Sequence, residues 1–550
     1  MLIILFVLCL SGALCQDPLV NIKHGALKGK WEESTKGRKF AGFWGIPYAK
    51  PPIGEYRFRE PQPLTPWLGV WDATRELSHC LQWEPTAVAI VGAEDCLFLN
   101  VFTPDLKPAT PLPVVVYIHS GAFMFGAGSL YGPAHLMDKD LVVVTINYRL
   151  GPLGFLSTGD DVISGNAGLK DQAFALKWVQ ENIREFGGDP NSVTLTGCSA
   201  GSASVHYQYL SPMSKGTFHR GIAFSGSAFA PWAYAPKPAK NAKDLARLVG
   251  CPHQDTREMA ECLRLRPGEV IINAMVQMFD WHAHMFTPFL PTLEVSTAKD
   301  PFITEYPYFA AQAGAMHRLP LVATMTAAEG LYPAAYYQKN PSYLQEIEDR
   351  WEVLCSNLFV YNDTATLCQR PELAKRIKEE YLGGKPVNQE TYPQLVEALG
   401  DRHFGTSIAR LVTSHARTYP TYMYKYNHRG EHSLSHHIAK NKNYYGVSHA
   451  DDIMEIFQFL WTSTSDADVK MRDALLDMIY TFASTGVPKF PNAPEWAPVK
   501  PNSPEVSYLE IFEHDKYEVK SEADIGRQQF WDSLGLKEYN NYHSLIREEL

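Results

Sequence analysis

Beyond its first 16 residues the chain has no long apolar run, no internal repeat, no low-complexity tract and no Pro/Ser-rich linker. The first absence excludes a spanning helix past the N-terminus; the others exclude a solenoid, a disordered scaffold and a string of tethered modules. Positive charge is also short. Against 60 Asp and Glu stand 50 Lys and Arg, a net charge of −10, and the cations are scattered. No basic stripe offers itself to nucleic acid or to an anionic membrane. The last residues are polar and carry no hydrophobic tail of the kind that a lipid anchor replaces, so a soluble mature protein is expected.

What is present begins with an unbroken apolar run from Leu2 to Leu10, followed by Ser11, Gly12 and Ala13 ahead of Cys15 and Gln16. This is the form of a secretory signal peptide over residues 1–15, its core well short of the ~18 residues of a spanning helix. Residues 16–550 are then read as a single domain in the secretory pathway. Arg547-Glu548-Glu549-Leu550 is similar to a K-D-E-L retention signal, which leaves the ER lumen and the extracellular space as alternative destinations.

Of nine cysteines, seven lie past the signal segment: Cys80, Cys96, Cys198, Cys251, Cys262, Cys355 and Cys368. An odd number leaves one unpaired. Nearest-neighbour spacing favours Cys80–Cys96, Cys251–Cys262 and Cys355–Cys368, isolating Cys198, although spacing alone does not fix connectivity. Asn362-Asp363-Thr364 is a glycosylation sequon suited to a surface loop.

Between residues 110 and 330 short β-branched runs alternate with amphipathic stretches, the pattern of a parallel sheet covered by helices. Strands are expected at Val114–His119, Leu141–Tyr148, Ser192–Gly197, Gly221–Ser225 and Leu321–Thr326. Their near-continuous apolar character fits burial on both faces. From Asp171 to Phe186, Leu176, Val179, Ile183 and Phe186 recur at helical intervals before Gly187 and Gly188. Residues 335–480 look more helical, with Leu344–Leu354 and Val469–Thr485 as candidates for a cap over the sheet edge. After Gly486 the chain reads as Pro-rich and irregular.

The chemistry concentrates in Gly197-Cys198-Ser199-Ala200-Gly201. This G-x-S-x-G pattern, between a strand and a helix-compatible run, is that of a nucleophile elbow, in which a tight turn lifts a serine hydroxyl clear of the sheet. Earlier, His119-Ser120-Gly121-Ala122-Phe123 follows the strand VVVYI, as oxyanion-hole loops do. The amides of Gly121, Ala122 and Ala200 are therefore expected to face the oxygen that turns negative when Ser199 attacks an acyl carbon. A serine nucleophile needs an imidazole base and a carboxylate to orient it, and composition alone does not choose among 19 histidines.

A resemblance makes that choice. Trp44-Gly45-Ile46-Pro47-Tyr48-Ala49, Pro51-Pro52-Ile53-Gly54, Glu94-Asp95-Cys96-Leu97, Asn147-Tyr148-Arg149, Gly165-Asn166-Ala167-Gly168-Leu169 and Phe186-Gly187-Gly188-Asp189-Pro190 resemble the type-B carboxylesterase and cholinesterase family. The resemblance implies the α/β-hydrolase fold: a large, mostly parallel central sheet flanked by helices, with helical cap insertions. It puts the acid at Glu329 and the base at His449, so the implied activity is serine carboxylic ester hydrolysis through an acyl-enzyme. It also implies the disulfides Cys80–Cys96 and Cys251–Cys262 and the structural ion pairs Arg57–Glu94 and Arg149–Asp171. The third bridge, Cys355–Cys368, rests on spacing. The only partner implied is a small-molecule ester, with no cofactor and no metal.

Three positions depart from the family's usual residues: Cys198 for glutamate, Ser120 for glycine and Ser202 for glycine. Of these, Ser120 puts a side chain into a loop that must fold tightly. The short Cys80–Cys96 loop, with Trp83 near its start, does not suit a choline substrate. The pattern looks most like secreted carboxylesterases of insect type, acting on neutral esters of xenobiotic, hormone or odorant kind. Two alternatives stand beside this reading. One is a catalytically weak or silent relative kept for binding or adhesion. The other is a metallohydrolase built on His428, His432, His436, His437 and His449 with Asp451 and Asp452, although no tight ligand spacing is present.

Overall fold

The computed structural model describes residues 17–281, 286–340 and 342–538. The expected signal peptide and the Arg547–Leu550 tail lie outside the described residues. An 11-stranded sheet organises the chain. Its strands are β1 (Lys30–Glu33), β2 (Lys39–Pro47), β3 (Phe98–Thr103), β4 (Leu112–Ile118), β5 (Val142–Ile146), β6 (Gly188–Cys198), β7 (Arg220–Phe224), β8 (Leu321–Thr326), β9 (Thr421–Tyr426), β10 (Val506–Glu513) and β11 (Lys516–Glu522). Their spatial order is β11-β10-β9-β8-β7-β6-β4-β5-β3-β2-β1. From β5 to β10 every neighbouring pair is parallel, and antiparallel strands close both edges.

Both faces of the central strands are buried, which is why they read as continuous apolar runs. In β4, Val114, Val116 and Ile118 enter one core cluster while Val115 and Tyr117 enter the other. The flanking helices used below are α1 (Ala167–Asn182), α2 (Ala200–Leu210), α3 (Leu331–Lys339), α4 (Tyr392–Gly400), α5 (Thr406–Ala416), α6 (Asp451–Ile456) and α7 (Asp466–Thr485). The amphipathic stretch expected to reach Phe186 is α1 followed by a single 3-10 turn, Ile183–Phe186, and Gly187 stops it at φ 81°.

Between β8 and β9 the helical insertion has a core of its own, including Leu331, Tyr337, Leu354 and Leu395, joined by Trp531 from beyond β11. It touches the sheet beside the expected acid. Gly330 lies so close to α4 that a Cβ there would stand 1.9 Å from the Val396 carbonyl oxygen.

Three local expectations need correcting. The helix expected over Leu344–Leu354 is broken at Arg350 into Ser342–Asp349 and Trp351–Leu358. The helical region contains β9, whose sequence TYMYKY is rich in aromatic strand formers. Beyond Gly486 the chain returns to the sheet as the hairpin β10–β11. There β10 is mostly buried, whereas β11 is a charged edge carrying Lys516, Lys520 and Glu518, a composition that discourages strand addition.

Cys80–Cys96 and Cys251–Cys262 are bonded. Cys355 and Cys368 are not: both are free, as is Cys198. Short spacing says only that a loop has the length to close; here the loop winds into its own turns, with the Tyr361 amide on the Ser356 carbonyl and the Ala365 amide on the Tyr361 carbonyl. Cys355 is left in the core beside Tyr361, its thiol pushed up to about 12 by burial, and Cys368 is left in solvent. The two ion pairs are present, Arg149–Asp171 buried and Arg57–Glu94 partly buried. Arg57 Nε donates to Glu94 Oε2 at 2.7 Å, and Arg149 donates to both oxygens of Asp171 at 2.8 and 2.7 Å. Loss of either partner would strand a charge away from water.

Candidate active site

β6 ends at Cys198 and α2 begins at Ala200, so Ser199 alone makes the turn, at φ 59° and ψ −119°. An L-residue held in so sparse a region costs ~1–3 kcal/mol and persists only where its surroundings over-determine it. Here the Ser199 amide donates to the Phe224 carbonyl of β7 at 2.9 Å, and its own carbonyl accepts from Ala203 at 2.9 Å. The flanking glycines are steric requirements. A Cβ on Gly201 would stand 2.1 Å from the Ile118 carbonyl oxygen, and one on Gly197 would stand 2.5 Å from the Gly201 carbonyl group.

Glu329 follows β8, and His449 immediately precedes the turn into α6. Their segments are joined by a bridge between Ala328 and Ser448, with the Ala328 amide on the Val447 carbonyl at 2.9 Å. The carboxylate and the imidazole meet directly: Glu329 Oε2 lies 2.6 Å from His449 Nδ1. The other oxygen, Oε1, accepts from the Ser225 hydroxyl at 2.6 Å and from the Thr326 amide at 2.7 Å. Glu329 and His449 are only 2 and 3% exposed, so this hydrogen-bond chain is screened from water. Ser199 is anchored to the same corner of β7, bonding Phe224 while Ser225 bonds the acid, and its hydroxyl stands outside the Ser225–Glu329–His449 chain.

The turn bearing His449 is pinned by Asp451, whose carboxylate accepts from the Ser448 amide at 2.7 Å, the Leu434 amide at 2.8 Å and the Ser433 hydroxyl at 2.9 Å. Burial pushes Asp451 up to about 8 and Asp452 up to about 6; the Tyr424 hydroxyl donates to Asp452. Two rings border the imidazole, Phe404 with centroids 4.4 Å apart and Tyr332 at 5.5 Å. Phe404 is delivered by a π-helical turn, Asp401–Gly405, set between α4 and α5. Such turns recur at functional sites because the extra residue re-aims side chains.

The expected oxyanion loop is conformationally unusual. Gly121, Ala122 and Phe123 all have positive φ, at 113°, 53° and 58°. A Cβ on Gly121 would meet the Phe125 carbonyl oxygen at 1.9 Å, and the Gly121 carbonyl accepts from Met124 and Phe125 at 2.8 and 3.0 Å. As the first residue of α2, Ala200 presents an amide with no intrahelical partner. His119 stacks on Tyr148 at 4.4 Å, and burial lowers it to about 4, leaving it neutral.

Of the departures, Ser202 donates to the Gly226 carbonyl at 2.8 Å, an internal bond that leaves the turn undisturbed. Cys198 is buried, and burial pushes its thiol well above the usual range, so it supplies no thiolate. Among the described residues the histidines of the metal alternative form no group of three or more that could hold an ion. His428 bridges Asp468 and the Phe512 carbonyl, His432 and His437 sit against Trp461, and His449 is held by Glu329. Asn362 is half-buried rather than on a free surface loop, and the Thr364 hydroxyl of its sequon donates to Glu538 at 3.0 Å. The sequon borders a cavity of about 1030 Å³ that is also lined by Trp232, Phe286 and Arg370 and does not include the three expected catalytic residues.

Sequence reasoning did not find Ser225, Tyr332 or Phe404. Only the first left a trace, a polar residue at the end of an apolar strand.

Residues 16–531 match the model of the carboxylesterase family. Over 532 residues the chain is 37% identical to venom carboxylesterase-6 of Apis mellifera, covering 95% of each chain. Over 541 residues it is 39% identical to esterase E4 of Myzus persicae, covering 96% of this chain and 97% of that one. In three dimensions it is similar to juvenile hormone esterase of Manduca sexta, solved with OTFP covalently attached. The TM-score is 0.82 and the identity 29%, over 94% of this chain and 100% of that one.

Proposed function

Because the chain belongs to the carboxylesterase family and is a carboxylic ester hydrolase, we propose that it works through Ser199 as nucleophile, His449 as base and Glu329 as the acid that orients His449. The observation that carries this assignment is the buried 2.6 Å contact between Glu329 and His449 Nδ1. A carboxylate there holds the proton on Nδ1, leaving the Nε2 lone pair to accept the Ser199 proton.

The serine oxygen adds to the ester carbonyl, and the negative oxygen that forms is met by the amides of Gly121, Ala122 and Ala200. The imidazolium then gives its proton to the departing alcohol as the C–O bond breaks. A water deprotonated by His449 attacks the acyl-serine, and as the second tetrahedral intermediate collapses the imidazolium gives that proton to the departing Ser199 oxygen and the carboxylic acid leaves. The rings of Tyr332 and Phe404 beside the base favour neutral, apolar esters over charged ones. The relatives are named as ester hydrolases, which sets aside the binding-only alternative.

Residues 1–15 direct the chain into the secretory pathway. Among the described residues no helix is long and apolar enough to cross a membrane. A glycan on Asn362 is added during synthesis, before Thr364 is buried against Glu538. The assignment is tested with Ser199→Ala, which should remove turnover of a p-nitrophenyl ester by a factor of ~10⁶ while the fold is kept. Retention of most of the activity would refute it.

A further inference from the structure

Ser120 stands immediately before three successive residues of positive φ, and that geometry must be held from both ends. At the far end the clamp is Gln82: the Gly126 amide donates to its Oε1 at 2.7 Å, and its Nε2 donates to the Gly126 carbonyl at 3.0 Å. At the near end the backbone of His119 is fixed by the Tyr148 ring and hydroxyl, and the Ser120 carbonyl lies 2.8 Å from His119 Nδ1. One further bond reaches the loop there. Ser120 Oγ and the Tyr131 hydroxyl are 2.6 Å apart.

Tyr131 is a rigid post. It is 2% exposed, its ring lies flat against Phe459 at 4.8 Å and 8°, and it is flanked by Tyr117 at 4.6 Å and Phe457 at 5.6 Å. The residues after it are tied to Gln458 through the Gly132 amide and carbonyl. Near the phenol lie the Tyr117 hydroxyl and the buried, neutral thiol of Cys198, the latter a weak hydrogen-bond partner. A buried hydroxyl without a good partner costs ~1–3 kcal/mol, so the Ser120 hydroxyl satisfies Tyr131 while Tyr131 fixes Ser120.

We propose that Ser120 and Tyr131 form a positioning pair that sets the aim of the Gly121 and Ala122 amides, so that a side chain which first reads as an obstruction is a working part of the oxyanion loop. This rests on the reading that those amides stabilise the oxyanion. Ser120→Ala is the decisive variant, because the residue is half-buried and losing one oxygen leaves no steric problem. Tyr131→Phe and Ser120→Thr accompany it. Each protein is reacted with a ¹³C-labelled trifluoromethyl ketone, and the adduct carbon is titrated by NMR between about pH 6 and 9, beside steady-state kinetics and thermal melts.

The wild-type adduct should be half-ionised near the lower end of that range and fully ionised at its upper end. In Ser120→Ala and Tyr131→Phe the acid dissociation constant of the adduct hydroxyl should fall about tenfold and kcat should fall about tenfold, with KM within about twofold, a smaller loss than deleting an oxyanion donor outright. Ser120→Thr should restore both. A wild-type adduct that is neutral would overturn the oxyanion reading itself. An ionised wild-type adduct with an unchanged Ser120→Ala titration, even with a lowered melting temperature, would overturn the positioning role alone.

Discussion

Replacing Glu329 with glutamine is the perturbation for which the structure makes the sharpest forecast. Two donors, the Ser225 hydroxyl and the Thr326 amide, converge on Oε1 at 2.6 and 2.7 Å, and both are buried. An amide in that place keeps its carbonyl oxygen where two donors require an acceptor. Its NH₂ then points at His449 Nδ1, 2.6 Å from the present Oε2. To avoid a donor facing a donor, the imidazole must move its proton to Nε2, the nitrogen that has to receive the proton of Ser199. The base is lost without any change in shape. The corresponding loss in serine hydrolases is ~10⁴ in kcat, or roughly 5 kcal/mol of transition-state stabilisation. Glu329→Gln should therefore hydrolyse p-nitrophenyl esters about 10⁴-fold more slowly at neutral pH, with its melting temperature preserved. A kcat within about tenfold of wild type in a folded protein would refute the tautomer argument.

Ser225→Ala removes one of the two donors on Oε1 and should lower kcat by about tenfold or less, because the Thr326 amide remains; kinetics on the purified variant check this. Gly201→Ala forces a Cβ to 2.1 Å from the Ile118 carbonyl, so α2 must separate from β4, and a lowered melting temperature with lost activity is expected. Asp401, which accepts from Tyr381 at 2.9 Å, is raised by burial from 3.8 to about 7, so the folded state holds a proton that the unfolded state has released. Its contribution to stability is complete below about pH 4 and is lost as pH rises to about 7, by roughly 4 kcal/mol at most. Thermal melts should show Asp401→Asn gaining on wild type at pH 8 and not at pH 4, and equal gains at both would contradict the assignment. Under native, non-reducing conditions a maleimide should modify Cys368 and spare Cys198 and Cys355, with mass spectrometry of the tryptic peptides as the readout.

The legible parts of the molecule were those whose chemistry is local. β4 to β8 announce themselves as β-branched runs because both of their faces are buried, and the elbow announces itself because two glycines are sterically obligatory within five residues. Glu329 and His449 carry no such local mark. They are 120 residues apart, and only the bridge between Ala328 and Ser448 brings them together, so a family resemblance had to supply them. Ser225, Phe404 and Tyr131 act through contacts made across the fold, and no spacing rule reaches those. β9 was hidden because its six residues are enclosed in an otherwise helical stretch, and β10–β11 because polar residues alternate through an edge hairpin. The pairing of Cys355 with Cys368 failed for the converse reason: proximity in sequence does not decide which side of a helix faces the core.

The most direct test of a single activated serine is stoichiometric labelling with a fluorophosphonate, followed by peptide mapping. One phosphonyl group per chain should appear on Ser199, activity should fall in proportion to labelling, and His449→Ala should slow the reaction by about 10³-fold or more. Label on a different residue, or ester turnover that continues in fully labelled protein, would contradict the account.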